Sequence, residues 1–207
     1  GIEGEDGTVQ ALLGLLGIPH TGPRVAACQR SMDKSLSKYI LREHGLPTPD
    51  WVTYSEAAIR DFGAASSFQK AVATVGLPLV AKPASQGSSL GVKAVTRVED
   101  IPDALITALS YDSRALLETW VSGRELAVSV LGDRALPVVE AIPTDNNAYD
   151  FEARYEIGGA SFECPAALED AQTEEVSRVA LAAYVALGCS GFARVDLILG
   201  EDGPMIL

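Results

Sequence analysis

Leu77-Pro-Leu-Val-Ala-Lys-Pro-Ala-Ser-Gln-Gly-Ser-Ser-Leu-Gly-Val92 is the stretch on which the reading of this chain turns. Leu79-Val80-Ala81 is a short apolar run bounded by turn residues, the pattern of a buried strand. It ends on Lys82, and Pro83, which has no N–H, blocks further pairing. Ser85, Gly87, Ser88, Ser89 and Gly91 then make a loop of small residues, and Val92 to Val95 resumes the strand pattern. A lysine thus stands at a strand end beside a loop whose backbone N–H groups and hydroxyls are little obstructed. The loop supplies donors and the lysine supplies charge, a combination suited to a polyphosphate. The same Gly/Ser composition also suits an ordinary flexible turn. It is not a Walker A loop, because Gly-Lys-Ser/Thr is absent and no helix follows directly.

The surrounding 207 residues are enough for one large domain or two small lobes, and 47% are hydrophobic, ample material for a core. A formal net charge of −12 argues against general binding to nucleic acid or acidic membranes, whose phosphates require a basic surface. Cys28, Cys164 and Cys189 are far apart with no Cys-x-x-Cys, which suits reduced thiols and a cytoplasmic setting better than a disulfide framework or a zinc site. No apolar run approaches the roughly 20 residues of a membrane span.

Upstream, Val9, Leu12, Leu13 and Leu16 fall at helical spacing behind Gly4-Glu-Asp-Gly7, and Gly17 with Pro19 ends the pattern. A helix is predicted over 33–44, with Ser31 available as its cap and Lys34 in its first turn, where a cation is unfavourable and invites an anion. Further helices are expected over 55–62, 68–75, 98–109 and 173–187. Three strand candidates, 115–121, 125–131 and 135–142, are separated by Ser122-Gly123 and Gly132-Asp133 and read as an antiparallel meander. Glu118 and Glu125 interrupt their apolar pattern, so each faces water or has a specific partner. Residues 143–165 have no clear period, and loops of that length are usually functional or disordered. Their aromatics Tyr149, Phe151 and Tyr155 argue against disorder. In the strand 192–199, Arg194 and Asp196 are two apart and share a face, as an internal ion pair or as part of a site. A hairpin through 200–203 would put the residues just past Leu207 opposite Asp196.

The order of these pieces resembles the ATP-grasp ligases, most closely the D-alanine–D-alanine ligase family. The carrying motifs run the length of the chain: Gly4-Glu-Asp-Gly-Thr8, Pro19-His-Thr-Gly22, Met32-Asp-Lys34, Gly45-Leu-Pro-Thr-Pro49, Val80-Ala-Lys-Pro83, Gly87-Ser-Ser-Leu-Gly91, Gly123-Arg-Glu125, Tyr149-Asp-Phe-Glu-Ala-Arg-Tyr155, Cys164-Pro-Ala166 and Ala193-Arg-Val-Asp196. Each is weak alone; in this order they are specific.

The resemblance implies an α+β ATP-grasp fold in which two lobes with antiparallel sheets grip a nucleotide. Residues 1–22 would be the tail of a preceding domain, 23–113 a small lobe and 114–207 a large lobe. It assigns Lys34 and Lys82 to the ATP phosphates, and Ser88 and Ser89 to the loop covering them. Glu118 would accept from the adenine amino group, Trp120 and Val121 would meet the adenine edge, and Glu125 would bind the ribose hydroxyls. Asp196 matches a ligand for Mg2+ (or Mn2+). Arg194 matches the arginine at the developing oxyanion, Arg154 would stabilise transferring charge, and Tyr155 would close the site with Ser88.

The activity implied is ATP-dependent joining of two D-alanines through a D-alanyl phosphate, for peptidoglycan precursors, by a cytoplasmic homodimer with neither nucleic-acid nor membrane partners. Gln86 stands where the family usually has Glu, Arg154 where it has Lys, and Phe151 where it has Tyr. The resemblance also marks the chain as a fragment, without most of the first domain or the final metal ligands, and not expected to complete the reaction alone. The competing expectations are a ligase for D-alanine and D-lactate, another carboxylate–amine ligase, or a nucleotide-binding module without catalysis.

Overall fold

The computed structural model describes residues 3–62, 64–143 and 160–207. They fall into two compact units. One holds residues 3–48, 121–143 and 160–207, and the other holds the described part of Pro49–Trp120. The first unit opens with α1 (Thr8–Leu15), α2 (Val25–Met32) and α3 (Lys34–Glu43). Asp33, not Ser31, caps α3: its carboxylate accepts from the Leu36 N–H at 3.0 Å, satisfying one of the orphan donors of the first turn. At the other end Gly45 takes φ 68°, and the Leu46 N–H returns to the Leu41 carbonyl at 2.9 Å, a Schellman-type stop.

The second unit contains β1 (Trp51–Ser55), α4 (Glu56–Phe62), α5 (Ala64–Val75), β2 (Leu79–Pro83), β3 (Lys93–Val95), a 3-10 turn at Val98–Asp100, α6 (Ile101–Leu109) and β4 (Arg114–Thr119). Its sheet has the order β1-β4-β2-β3, antiparallel throughout. Residues directly opposite in such a ladder share a face. Leu79, Ala81, Val95, Ala115 and Leu117 lie on one side, packed with Phe68, Ala71 and Val75 of α5 and Ile101, Ala104, Leu105 and Ala108 of α6. Trp51, Val80, Lys82, Leu116 and Glu118 share the opposite side.

The chain then re-enters the first unit through β5 (Arg124–Leu131), β6 (Arg134–Ala135), β7 (Val139–Pro143), β8 (Ala160–Glu163), α7 (Asp170–Ala186), β9 (Phe192–Gly200) and β10 (Gly203–Ile206). The sheet order is β10-β9-β5-β7-β8, with β6 on β5. Leu126, Val128, Val195, Leu197, Leu199 and Ile206 pack against Val176, Val179, Ala180 and Ala183 of α7. Leu41 of α3 joins that same core, and Arg30 of α2 donates to the Leu187 carbonyl at 3.0 Å.

Three expectations change. The strands around 115–142 are not one meander: β4 pairs with β1 and β2, whereas β5 pairs with β9 and β7. The unit boundary falls between Trp120 and Val121, inside the strand candidate 115–121. Residues 23–48 group with the unit carrying β9 rather than with 49–113, because α3 buries Leu41 in the α7 core. Strands β1 and β8 go unmarked in the sequence reading. Cys28, Cys164 and Cys189 are free thiols.

Candidate functional site

Both sheets leave one face uncovered by the helices that build their cores, and every strand-borne candidate of the described residues lies on such a face. In the second unit, the Lys82 Nζ lies 2.7 Å from Glu118 Oε1, with side chains only 10% and 3% exposed. Val80 is opposite Glu118 and Lys82 opposite Leu116, so lysine and glutamate meet diagonally across β2 and β4. Trp51, Ala84 and Leu116 cluster on the same side. A charge so deeply buried is tolerated only with a close counter-charge. Glu118 is therefore no solvated strand acid.

Beyond Lys82, the loop bends through Ser88 and Ser89, both at φ 53°, and Gly91 at φ 69°. The Leu90 N–H reaches the Gly87 carbonyl at 3.3 Å, closing a tight turn whose two central residues are left-handed, a conformation unusual for side chains with a Cβ. After β4, the Thr119 N–H bonds the Asp50 carbonyl at 2.9 Å and the Trp120 N–H bonds the Pro78 carbonyl at 3.2 Å. The backbone at Trp120 is thus tied down just past the end of β4, with Val121 next.

In the first unit, Glu125 is opposite Ile198, Ala127 opposite Asp196 and Ser129 opposite Arg194. These six residues share the face turned away from α7. Arg194 grips Asp196 with two parallel bonds, Nε–Oδ1 at 2.7 Å and Nη2–Oδ2 at 2.8 Å. Both side chains are substantially exposed, at 62% and 45%, so this pair is open to exchange with a ligand at little cost. The two readings of Arg194 and Asp196, ion pair or site, are therefore compatible. Lys34 occupies the first position of α3 in this same unit. Leu207 itself donates to the Asp196 carbonyl at 3.2 Å, one residue earlier than the hairpin reading placed that partner.

A family profile described as the D-ala D-ala ligase C-terminus matches residues 40–207. The chain belongs to this family. It is similar to the D-alanine–D-alanine ligase of Synechococcus sp. (strain JA-3-3Ab), 38% identical over 205 residues, covering 99% of this chain and 62% of that protein. The corresponding ligase of Verminephrobacter eiseniae (strain EF01-2) is also 38% identical, covering 100% and 62%. The chain thus spans about three fifths of the length of these curated relatives. Among solved structures, the D-alanine–D-alanine ligase of Bacillus anthracis complexed with ATP superposes with a TM-score of 0.80 at 32% identity, covering 100% of this chain and 64% of that one. The VanG D-Ala:D-Ser ligase of Enterococcus faecalis gives 0.83 at 29% identity, covering 99% and 58%. The α+β fold with antiparallel sheets is therefore that of the ATP-grasp ligases.

Within this ligase-family frame, Arg154 and Tyr155, with Phe151, lie outside the described residues. Among the described residues no group of three or more His, Cys, Asp or Glu is placed to hold a metal ion. Asp196 by itself offers a hard carboxylate, and Mg2+ is commonly held by one or two carboxylates plus phosphate oxygens, so the donor type fits. Two features escaped the sequence reading. Lys38 is 1% exposed and donates to Thr48 Oγ1 at 2.7 Å, which in turn donates to the Ile206 carbonyl at 3.0 Å. The available signal was its spacing three residues before Leu41 on the buried stripe of α3. Direct pairing of Lys82 with Glu118 was the other, since residues 36 apart in sequence reveal no register.

Proposed function

We propose that this chain carries the nucleotide-handling part of an ATP-dependent D-alanine–D-alanine ligase. The observation that carries the reading is the placement of Lys82, Glu118, Glu125, Arg194 and Asp196 on the sheet faces opposite those packed into the helical cores, in a chain 38% identical to such ligases across 99% of its length.

On this reading Lys82 and Lys34 neutralise ATP phosphate oxygens, while the Ser88–Ser89 turn covers them with hydroxyl and N–H donors. Glu118 accepts from the adenine amino group beside the backbone of Trp120 and Val121. Glu125 takes the ribose hydroxyls. Asp196 would hold the Mg2+ (or Mn2+), which supplies charge neutralisation at the phosphates. The carboxylate of the first D-alanine attacks the γ-phosphorus and forms D-alanyl phosphate, releasing ADP. The amine of the second D-alanine then adds to the acyl carbon, and phosphate leaves as the amide forms. Arg194, released from Asp196, stabilises the tetrahedral oxyanion. Arg154 stabilises the transferring charge, and Tyr155 with Ser88 excludes the water that would hydrolyse the acyl phosphate.

The setting of this activity is a cytoplasmic homodimer making peptidoglycan precursors; among the described residues no helix is long and apolar enough to cross a membrane. The similarity to a D-Ala:D-Ser ligase makes the second substrate the sharpest question. The test uses the full-length protein with Mg·ATP, D-alanine, and D-alanine mixed with D-serine or D-lactate, following ADP and identifying products by mass spectrometry. D-alanyl-D-alanine as the main product is expected. No ADP formation with any of these substrates overturns the proposal.

A further inference from the structure

The loop that would cover the phosphates meets, at both ends, a single short turn and the first residue of β4 that follows it. That turn, 110–113, follows α6 and is itself anchored there by the Tyr111 N–H on the Ala108 carbonyl at 3.1 Å. At the loop entry, the Ser85 N–H donates to Asp112 Oδ2 at 2.6 Å, and the Ala84 N–H donates to the Arg114 carbonyl at 3.0 Å. The other oxygen of Asp112 accepts from the Arg114 N–H at 3.2 Å, which fixes the carboxylate in place. Gln86 Nε2 donates to the Tyr111 carbonyl at 2.9 Å. At the loop exit, Gly91 lies close against the Tyr111 side chain: a Cβ there would come within 2.6 Å of Tyr111 Cδ2 and 3.1 Å of Pro83. Only the tip, with Ser88 and Leu90 exposed, is left outside these contacts.

We propose that this turn is a positioning clasp for the Gly/Ser loop, with Asp112 its principal positioning residue and Gln86 a second fastening. The inference rests on the nucleotide reading of the loop given above. Its physical content is preorganisation. Ordering a residue costs about 1–2 kcal/mol of backbone entropy, so a loop already fixed at its base brings its donors to a phosphate with less loss on binding. The Ser85 bond is of the stronger, charge-assisted kind. The Gln86 bond depends on an amide donor: glutamate in that position would set a carboxylate against the Tyr111 carbonyl oxygen and near Asp112.

The experiment compares the unsubstituted chain with Asp112→Ala, Asp112→Asn and Gln86→Glu by amide hydrogen exchange and by calorimetric titration with Mg·ATP and with adenosine. Loss of the Ser85 anchor is expected to speed exchange across 85–92 by roughly tenfold in Asp112→Ala and to weaken Mg·ATP by about the same factor. Asp112→Asn, which keeps one carbonyl acceptor, restores part of both. Gln86→Glu, a change at a half-buried loop position, gives a smaller loss in the same direction. Adenosine affinity, which does not involve the loop, stays within about twofold throughout; a merely structural role would weaken it in parallel. Unchanged loop exchange and unchanged Mg·ATP affinity in both Asp112→Ala and Gln86→Glu overturn the clasp while leaving the nucleotide reading in place. Failure of the unsubstituted chain to bind Mg·ATP overturns the nucleotide reading, and the clasp's role with it.

Discussion

Replacing Lys82 by Met should separate what the buried ion pair does for stability from what it does for binding. The ammonium lies 2.7 Å from Glu118 Oε1, and the two side chains are 10% and 3% exposed. At that distance the attraction is roughly 6 kcal/mol for an effective dielectric near 20, most of it offset by the cost of taking both ions out of water. Lys82→Met removes the attraction but leaves the carboxylate buried, so a destabilisation of about 3–5 kcal/mol is expected. The double variant Lys82→Met/Glu118→Leu removes both charges and adds apolar contact with Trp51 and Leu116, and should return to within about 1–2 kcal/mol of the starting stability. Urea unfolding followed by fluorescence of Trp51 and Trp120, both in the same unit, reads this directly. With a slope of about 1–3 kcal/mol/M, the single variant's midpoint should fall by at least about 1 M. Both variants should lose Mg·ATP binding. A single variant that unfolds within about 1 kcal/mol of the original, or a double variant worse than the single one, would refute the view that Glu118 depends on Lys82 for its burial.

The Arg194–Asp196 pair predicts the opposite balance: it is exposed, so Asp196→Asn should cost under about 1 kcal/mol of stability yet abolish Mg2+-dependent ligation by the full-length protein. Gly123→Ala should destabilise the first unit by about 2 kcal/mol or more in urea unfolding, because its Cβ would overlap the Leu199 carbonyl oxygen and lie 2.7 Å from the carbonyl carbon, backbone that cannot swing aside. Ser89→Val, placing a β-branched residue at φ 53°, should cost about 1–2 kcal/mol, read by the same method. The Arg124 guanidinium, donating to Glu140 through Nε at 2.8 Å, holds that carboxyl below its ordinary value near 4.5. A depressed acid stabilises the fold above its unfolded value and loses that contribution as pH falls through the folded one. Stability should therefore drop as pH is lowered below about 4.5, and Glu140→Gln should flatten that slope and cost about 1.5 kcal/mol at neutral pH, seen in urea midpoints across the pH range.

Local pattern was sufficient wherever one residue's chemistry decides the backbone. The helix of α3 with Lys34 in its first turn, the apolar run Leu79–Ala81 ending on Lys82, the small-residue loop and the Arg194/Asp196 face of β9 are all legible because period, caps and chain breakers act within a few residues. The likeness of the ordered motifs to the ATP-grasp ligases was legible for the same reason: backbone approach and phosphate contact demand particular residues in sequence. Pairing partners were not, because hydrogen bonding across a sheet leaves no trace in either strand alone. Thus β4 and β5, separated by only the four residues 120–123, read as one hairpin, whereas the ladder sends β4 to β1 and β2 and β5 to β9 and β7. Residues 144–159, which contain Arg154 and Tyr155, stand outside the described structure, so their roles rest on likeness alone. Burial of Lys38, the meeting of Lys82 with Glu118 and the hold of Asp112 on Ser85 were decided only by tertiary structure. Each joins residues whose separation is set by how helices and strands pack, and a charged side chain shows in its own sequence neither whether water is excluded from it nor which distant group takes water's place.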